Sequence, residues 1–196
     1  MSLPATGPFL VVGLGNPGRA YRANRHNAGF MALDRLAASM GTSFSRSQSD
    51  ALVTDGRLNG CKVILAKPQT YMNLVGRSVG ALTRYYRISI PQLLVVCDDL
   101  DLPLGTLRLR PGGGTAGHKG MASTLEHLHS PEFPRLRLGI GRPPGRMDPA
   151  DFVLQDFGPD EVPAVESMLD RAAECTRSMV LDGIQQAMTR FNAGAE

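Results

Sequence analysis

Short apolar runs and longer apolar stripes alternate along the chain. Runs at 9–14, 51–54, 61–66, 93–97, 106–109 and 136–140 predict strands. Stripes at 28–40, 73–86, 118–128 and 160–191 predict helices. In the first of these, Phe30, Met31, Leu33, Leu36, Ala37 and Met40 share a face, and Asn27 stands where a helix cap belongs. The last carries Val162, Val165, Met168, Leu169, Ala172, Met179, Val180, Ile184 and Met188 at helical spacing, a stripe for packing on a core. Strands alternating with helices predict an α/β fold: one globular domain over residues 1–196, a twisted mixed β-sheet flanked by helices. The close spacing of 51–54 and 61–66, with Asn59–Gly60 between them, predicts a hairpin and hence a mixed sheet.

Composition adds limits. The chain has 196 residues, 42% of them hydrophobic and 20% charged, ordinary values for a soluble globular protein. No apolar run is long enough to span a membrane. The opening "MSLPATGP" lacks the basic start and apolar segment of a secretory signal. Three cysteines, Cys61, Cys97 and Cys175, with no C-x-x-C pair, fit a reduced cytoplasmic protein with inert buried thiols. The net charge of +3 divides unevenly: residues 160–196 carry −4 and residues 1–159 carry +7. The basic part holds the glycine loops and all the histidines, a field suited to a polyanion.

The stretch "VVGLGNPGRAYRANRHNAGF" contains the spacing G-x-G-x-x-G at Gly13, Gly15 and Gly18. A dinucleotide cradle would lead straight into a helix and have an acid ending the next strand. Here Pro17 interrupts the turn, residues 19–25 lack helical periodicity, and the strand "KVILAKP" ends in Lys67–Pro68. The glycines are therefore turn residues that let backbone approach something closely. Three more loops follow strands or open helices: "KPQTYMNLVG", "VVCDDLDLPLG" and "PGGGTAGHKG". Together the four supply a histidine base, a carboxylate to orient it, and neutral amide side chains. An ester-cleaving site needs that set, a base to activate water and donors for the oxyanion.

The motifs "GLGNPG", "RHNAGF", "KPQTYMN", "DDLDLPLG", "GGGTAGHKG" and "RLRLGIGRP" resemble, in this order, those of the bacterial peptidyl-tRNA hydrolase family. The tail "AAECTRSMVLDGIQQAM" is similar to that family's final helix. The resemblance implies hydrolysis of the ester between peptide and tRNA, which recycles the tRNA. It implies His26 as catalytic base and Asp98 as the carboxylate that orients it. It places Asn16, Tyr21, Met72, Asn73, His118 and Lys119 among the substrate-binding residues. Arg110 and Arg137 match basic residues that clamp a tRNA phosphate. No metal, no organic cofactor, no membrane and no obligate protein partner are implied, and a monomer is expected. The physical reading agrees, since one base plus oriented dipoles suffices for an activated ester.

The chain departs from the family pattern at three positions. Lys119 stands where an Asn usually follows the histidine, Cys97 replaces a common histidine, and Val75 a common serine. Three other readings compete. A non-catalytic RNA-binding protein on the same fold would keep the basic field without turnover. A zinc hydrolase using His26, His118 and Asp98 lacks a close ligand pair such as H-x-x-x-H. A nicotinamide enzyme is weakened by the failed context of the glycine motif.

Overall fold

A computed structural model describes residues 7–193. The absence of a secretory signal was read mostly from residues 1–6, which lie outside the described residues. Seven strands and six α-helices follow in the order β1 (Phe9–Gly13), α1 (Ala28–Ser39), β2 (Arg46–Gln48), β3 (Ala51–Leu58), β4 (Cys61–Pro68), α2 (Val75–Tyr85), β5 (Leu93–Asp99), β6 (Leu107–Arg110), α3 (Lys119–Leu128), β7 (Arg135–Gly139), α4 (Pro149–Val153), α5 (Val162–Asp182) and α6 (Ile184–Phe191). They build one sheet in the order β2-β3-β4-β1-β5-β7-β6. The central strands β4, β1, β5 and β7 run parallel, while β2–β3–β4 and β6–β7 are antiparallel edges. The expected mixed sheet and its Asn59–Gly60 hairpin are both present, with Asn59 and Gly60 at positive φ as a tight primed turn requires.

Alternation along β1 explains the two cores. Phe9 and Val11 face one side and pack with α1, α5 and α6, while Leu10 and Val12 face the other and pack with α2 and Met121 of α3. Strands buried on both faces read as unbroken apolar runs, as β1 and β5 do. The glycine loop closes tightly on α1. A Cβ on Gly29 would lie 2.4 Å from the Val96 carbonyl oxygen, and one on Gly13 would lie 2.4 Å from the Gly29 carbonyl oxygen. The close approach expected of the glycines is therefore made with the first turn of α1, which sets that turn against the end of β5.

Three expectations need correction. The stripe at 160–191 is two helices, because Gly183 at φ 89° breaks the backbone while the apolar pattern continues across it. Asn27 precedes α1 but makes no capping bond with its side chain. Two short elements, β2 and α4, had not been expected from the sequence. At the outer edge of the sheet, the side chain of Asn192, just past α6, closes part of β6. It accepts the Leu109 N–H at 2.8 Å and donates to the Leu109 carbonyl at 3.0 Å.

Candidate active site

Asp98 sits at the carboxyl end of β5, where open α/β sheets place their ligands. Its side chain is only 2% exposed, and two imidazoles converge on it. His26, on the 3-10 turn Arg25–Asn27, places Nδ1 2.9 Å and 3.0 Å from the two carboxylate oxygens. His118 places Nε2 2.9 Å from Oδ1. The two rings lie 4.9 Å apart, tilted by 49°.

The protons on these rings follow from their partners. His118 caps α3, its Nδ1 accepting the N–H groups of Gly120 at 3.1 Å and Met121 at 3.2 Å. An accepting Nδ1 leaves the proton on Nε2, which donates to Asp98. Burial alone would push the Asp98 carboxyl up, yet electrostatic attraction to the His118 and His26 imidazoles and their hydrogen bonds outweigh it and hold the acid well below the ordinary carboxylate range. An ionised carboxylate only accepts, so His26 donates through Nδ1, and the neutral form of this ring carries its lone pair on Nε2.

This triad brings together the ligands named for the zinc reading, although no sequence spacing announced it. One donor atom from each of His26, Asp98 and His118 lies within 4.8 Å of the others. The donor set nevertheless suits hydrogen bonding. A cation would need the lone pair of His118 Nε2 while Nδ1 already serves as an acceptor for two backbone N–H groups, a demand a neutral imidazole cannot meet.

The turn carrying His26 is anchored from outside. Arg25 is 6% exposed and forms a two-pronged ion pair with Glu161, at 2.9 Å and 2.7 Å. Its guanidinium lies 4.3 Å from the centre of the Phe152 ring and 5.0 Å from that of Phe157. Next to it, Asn24 donates to Asp156 at 2.6 Å. The His26 turn is thus tied to the segment between α4 and α5, a link the sequence reading missed. Only an arginine flanked by polar residues, far from Glu161 in the chain, hinted at it.

The triad opens into a cleft of about 1350 Å³. Of the residues expected at the site, Asn16, His26, Met72, Asn73, Asp98, Arg110, His118, Lys119 and Arg137 line it, while Tyr21 does not. Tyr21 is half-buried in the 3-10 turn Arg19–Tyr21. Asn73 is exposed in the turn Met72–Leu74 and Lys119 is the exposed first residue of α3. Cys97 is buried beside Asp98, and burial pushes its thiol well above the ordinary range. Burial likewise takes Cys175 up to about 12, and all three cysteines are free thiols.

One wall of the cleft is an arginine face. In the β6–β7 ribbon Arg108 pairs with Arg137 and Arg110 with Arg135, while Leu107, Leu109, Leu136 and Leu138 turn into the core. Directly opposed residues of antiparallel strands share a side, so the four arginines share one face. Their situations differ. Arg110 is exposed, and Arg137 is paired with Asp99. Arg135 is buried and donates to the carbonyls of Gly113 and Gly114 at 2.7 Å and 2.9 Å and of Pro131 at 2.7 Å. It thereby holds the glycine-rich loop that leads to His118, a role the sequence reading did not assign.

Comparison with known proteins places the chain among its relatives. The peptidyl-tRNA hydrolase family profile matches residues 10–196. A peptidyl-tRNA hydrolase of Desulforudis audaxviator is 51% identical over 184 residues, covering 94% of this chain and 93% of its own. A chloroplastic group IIB intron splicing facilitator of Arabidopsis thaliana is 45% identical, covering 94% of this chain and 78% of its own. The crystal structure of the Acinetobacter baumannii peptidyl-tRNA hydrolase superposes with a TM-score of 0.89 at 35% identity, covering 94% of each chain.

Proposed function

The chain belongs to the peptidyl-tRNA hydrolase family and hydrolyses the ester of peptidyl-tRNA, and from that premise we propose that His26 is the general base and Asp98 the group that orients it. The observation that carries this reading is the contact of His26 Nδ1 with both oxygens of a buried, ionised Asp98. It leaves His26 Nε2 as the proton acceptor on the cleft side. A water there loses a proton to Nε2 as its oxygen attacks the ester carbonyl. The carbonyl oxygen becomes an oxyanion, which the amides of Asn16 and Asn73 stabilise. Collapse expels the ribose oxygen, which takes the proton back from Nε2, leaving free peptide and tRNA. Atoms and charge balance without a cofactor or metal.

Met72 lines the peptide side of the cleft, with Asn73 binding the peptide main chain. His118 serves the site through Asp98, and Lys119 sets an ammonium at the cleft rim. Tyr21 meets the tRNA end only beyond the cleft wall. The substrate is a peptidyl-tRNA, and Arg110 and Arg137 bind a phosphate of its tRNA from the arginine face. Phosphate contacts read no sequence, as an enzyme serving many tRNAs requires. One chain supplies base, orienting acid and cationic wall, which supports a single-domain enzyme over residues 1–196, acting as a monomer without an obligate protein partner. Free thiols suit the cytoplasm, although the splicing relative is chloroplastic. Among the described residues no helix is long and apolar enough to cross a membrane.

That same relative favours a second reading, an RNA-binding protein without turnover. An assay on an acylaminoacyl-tRNA separates the two. The wild type is expected to release tRNA, and His26→Ala to lose roughly 10²–10⁴-fold in rate while keeping its tRNA affinity. Binding without hydrolysis by the wild type would favour the second reading. A His26→Ala rate within a few-fold of wild type would remove His26 as the base.

A further inference from the structure

We infer that Asn27 is a positioning residue for the reaction, locking the Asn16 amide so that its N–H donors face the carbonyl under attack. The inference rests on the reading that His26 activates water in this cleft. Asn27 follows His26 directly and is 2% exposed. It leaves α1 uncapped by its side chain and turns that side chain onto Asn16 instead. Its Oδ1 accepts the Asn16 N–H at 2.8 Å, and its Nδ2 donates to the Asn16 carbonyl at 2.9 Å. The side chain thus occupies both main-chain polar groups of Asn16, as a neighbouring strand would.

The Asn16 side chain is fixed in turn. Its Oδ1 accepts the Met72 N–H at 2.9 Å. A flipped amide would set its NH₂ against that N–H, so the orientation is determined by the partner. Nδ2 must then point away from Met72. Among the described residues it has no protein partner, and Asn16 lines the same cleft as His26. A pair of N–H donors held by two buried amides, in the cleft that His26 also lines, is a preorganised oxyanion site. The chain therefore couples the two halves of the chemistry through adjacent residues: His26 takes the proton and Asn27 aims the donor.

The test is a cycle of Asn16→Ala, Asn27→Ala and the double variant, with Asn27→Asp alongside, measured as kcat and KM on a peptidyl-tRNA. Rates are counted per folded molecule, from thermal unfolding at the assay temperature. Asn27→Asp keeps the side-chain volume and one accepting oxygen, but opposes its second oxygen to the Asn16 carbonyl. Asn16→Ala is expected to lose about 10²-fold in kcat. Both Asn27 variants should lose about tenfold or more, with KM within about threefold of wild type. The double variant should be no worse than Asn16→Ala, because Asn27 acts only through Asn16. Folded Asn27 variants within about twofold of wild-type kcat, or losses that multiply in the double variant, would overturn the assignment. His26→Ala is run beside them. Normal Asn27 variants with a dead His26→Ala would remove the positioning role alone, whereas an active His26→Ala would remove the base reading first.

Discussion

The end of β5 and the arginine face of β6–β7 adjoin one another, yet they are built in opposite ways. Around Asp98 the groups are buried and tied at both ends: two imidazoles to one carboxylate, one of them to a helix start, the other's turn to Glu161 through Arg25. Along the ribbon, Arg110 is exposed, and its side chain has no hydrogen-bond or ion-pair partner among the described residues. The proton transfer proposed for His26 demands atoms placed to tenths of an ångström, and burial and hydrogen bonds can hold them so. Phosphate binding runs on a Coulomb field, and mobile side chains serve it well. The contrast predicts that changes at the first region alter rate or stability steeply, and changes at the second alter salt dependence.

Asp98→Asn should strike hardest here. An amide offers one oxygen to two imidazole N–H donors and sets its own NH₂ against one of them. A loss of about 10²-fold in kcat is expected, smaller than for His26→Ala, with tRNA affinity kept. An Asp98→Asn enzyme as active as wild type would erase the distinction between the two regions.

Next in size is the anchor of the base. Glu161→Ala would leave Arg25 buried without its partner, a change that costs about 3 kcal/mol in denaturant unfolding. The hydrogen bond from Arg25, together with the Gly158 N–H and against partial burial, holds the Glu161 carboxyl below its ordinary value. A depressed acid contributes stability above its unfolded pKa, near 4.3, and loses it as pH falls through the folded value. The stability gap between wild type and Glu161→Gln should therefore be full at neutral pH and close in acid below about pH 4. A gap constant across that range would show that the charge of Glu161 does not carry the anchor.

The smallest effects belong to the arginines. Arg110→Ala should lower the salt slope of log K for tRNA by about one unit. Arg137→Ala should lower it by less, because Asp99 already balances part of its charge. Both variants should cleave a peptide ester of a lone adenosine at nearly the wild-type rate. Equal losses on that short substrate would place these arginines in the chemistry.

Much of this was legible before any coordinates, and the failures have physical reasons. Apolar runs marked six strands, because buried strands cannot hide their composition. β2 escaped because Arg46–Gln48 has no apolar residue and is a strand only through its pairing with β3. Gly183 escaped because periodicity records which face is buried and not whether the backbone is continuous. At the site, the motifs carried His26 and Asp98. They did not disclose that His118 reaches the same carboxylate, since convergence across 20 residues and across 72 is a product of tertiary folding. Asn27 was misread because a cap position and a buried amide clamp look alike in sequence. Lys119 is the exposed first residue of α3 and lines the cleft, a placement that the motif alone did not give.

The Asn192 clasp on β6 has a consequence for the time before the fold is complete. Leu109 leaves the ribosome 83 residues ahead of Asn192. At about 5–20 residues per second, the outer edge of β6 waits roughly 4–17 s for its clasp. During that interval its main chain is open to pairing with another nascent chain. Edge strands resist such pairing when they carry charge, and β6 carries Arg108 and Arg110 on the face that does not enter the core. Arg110, proposed above to bind a tRNA phosphate, would thus have an earlier use as well, keeping like-charged nascent copies apart until the last helix has passed.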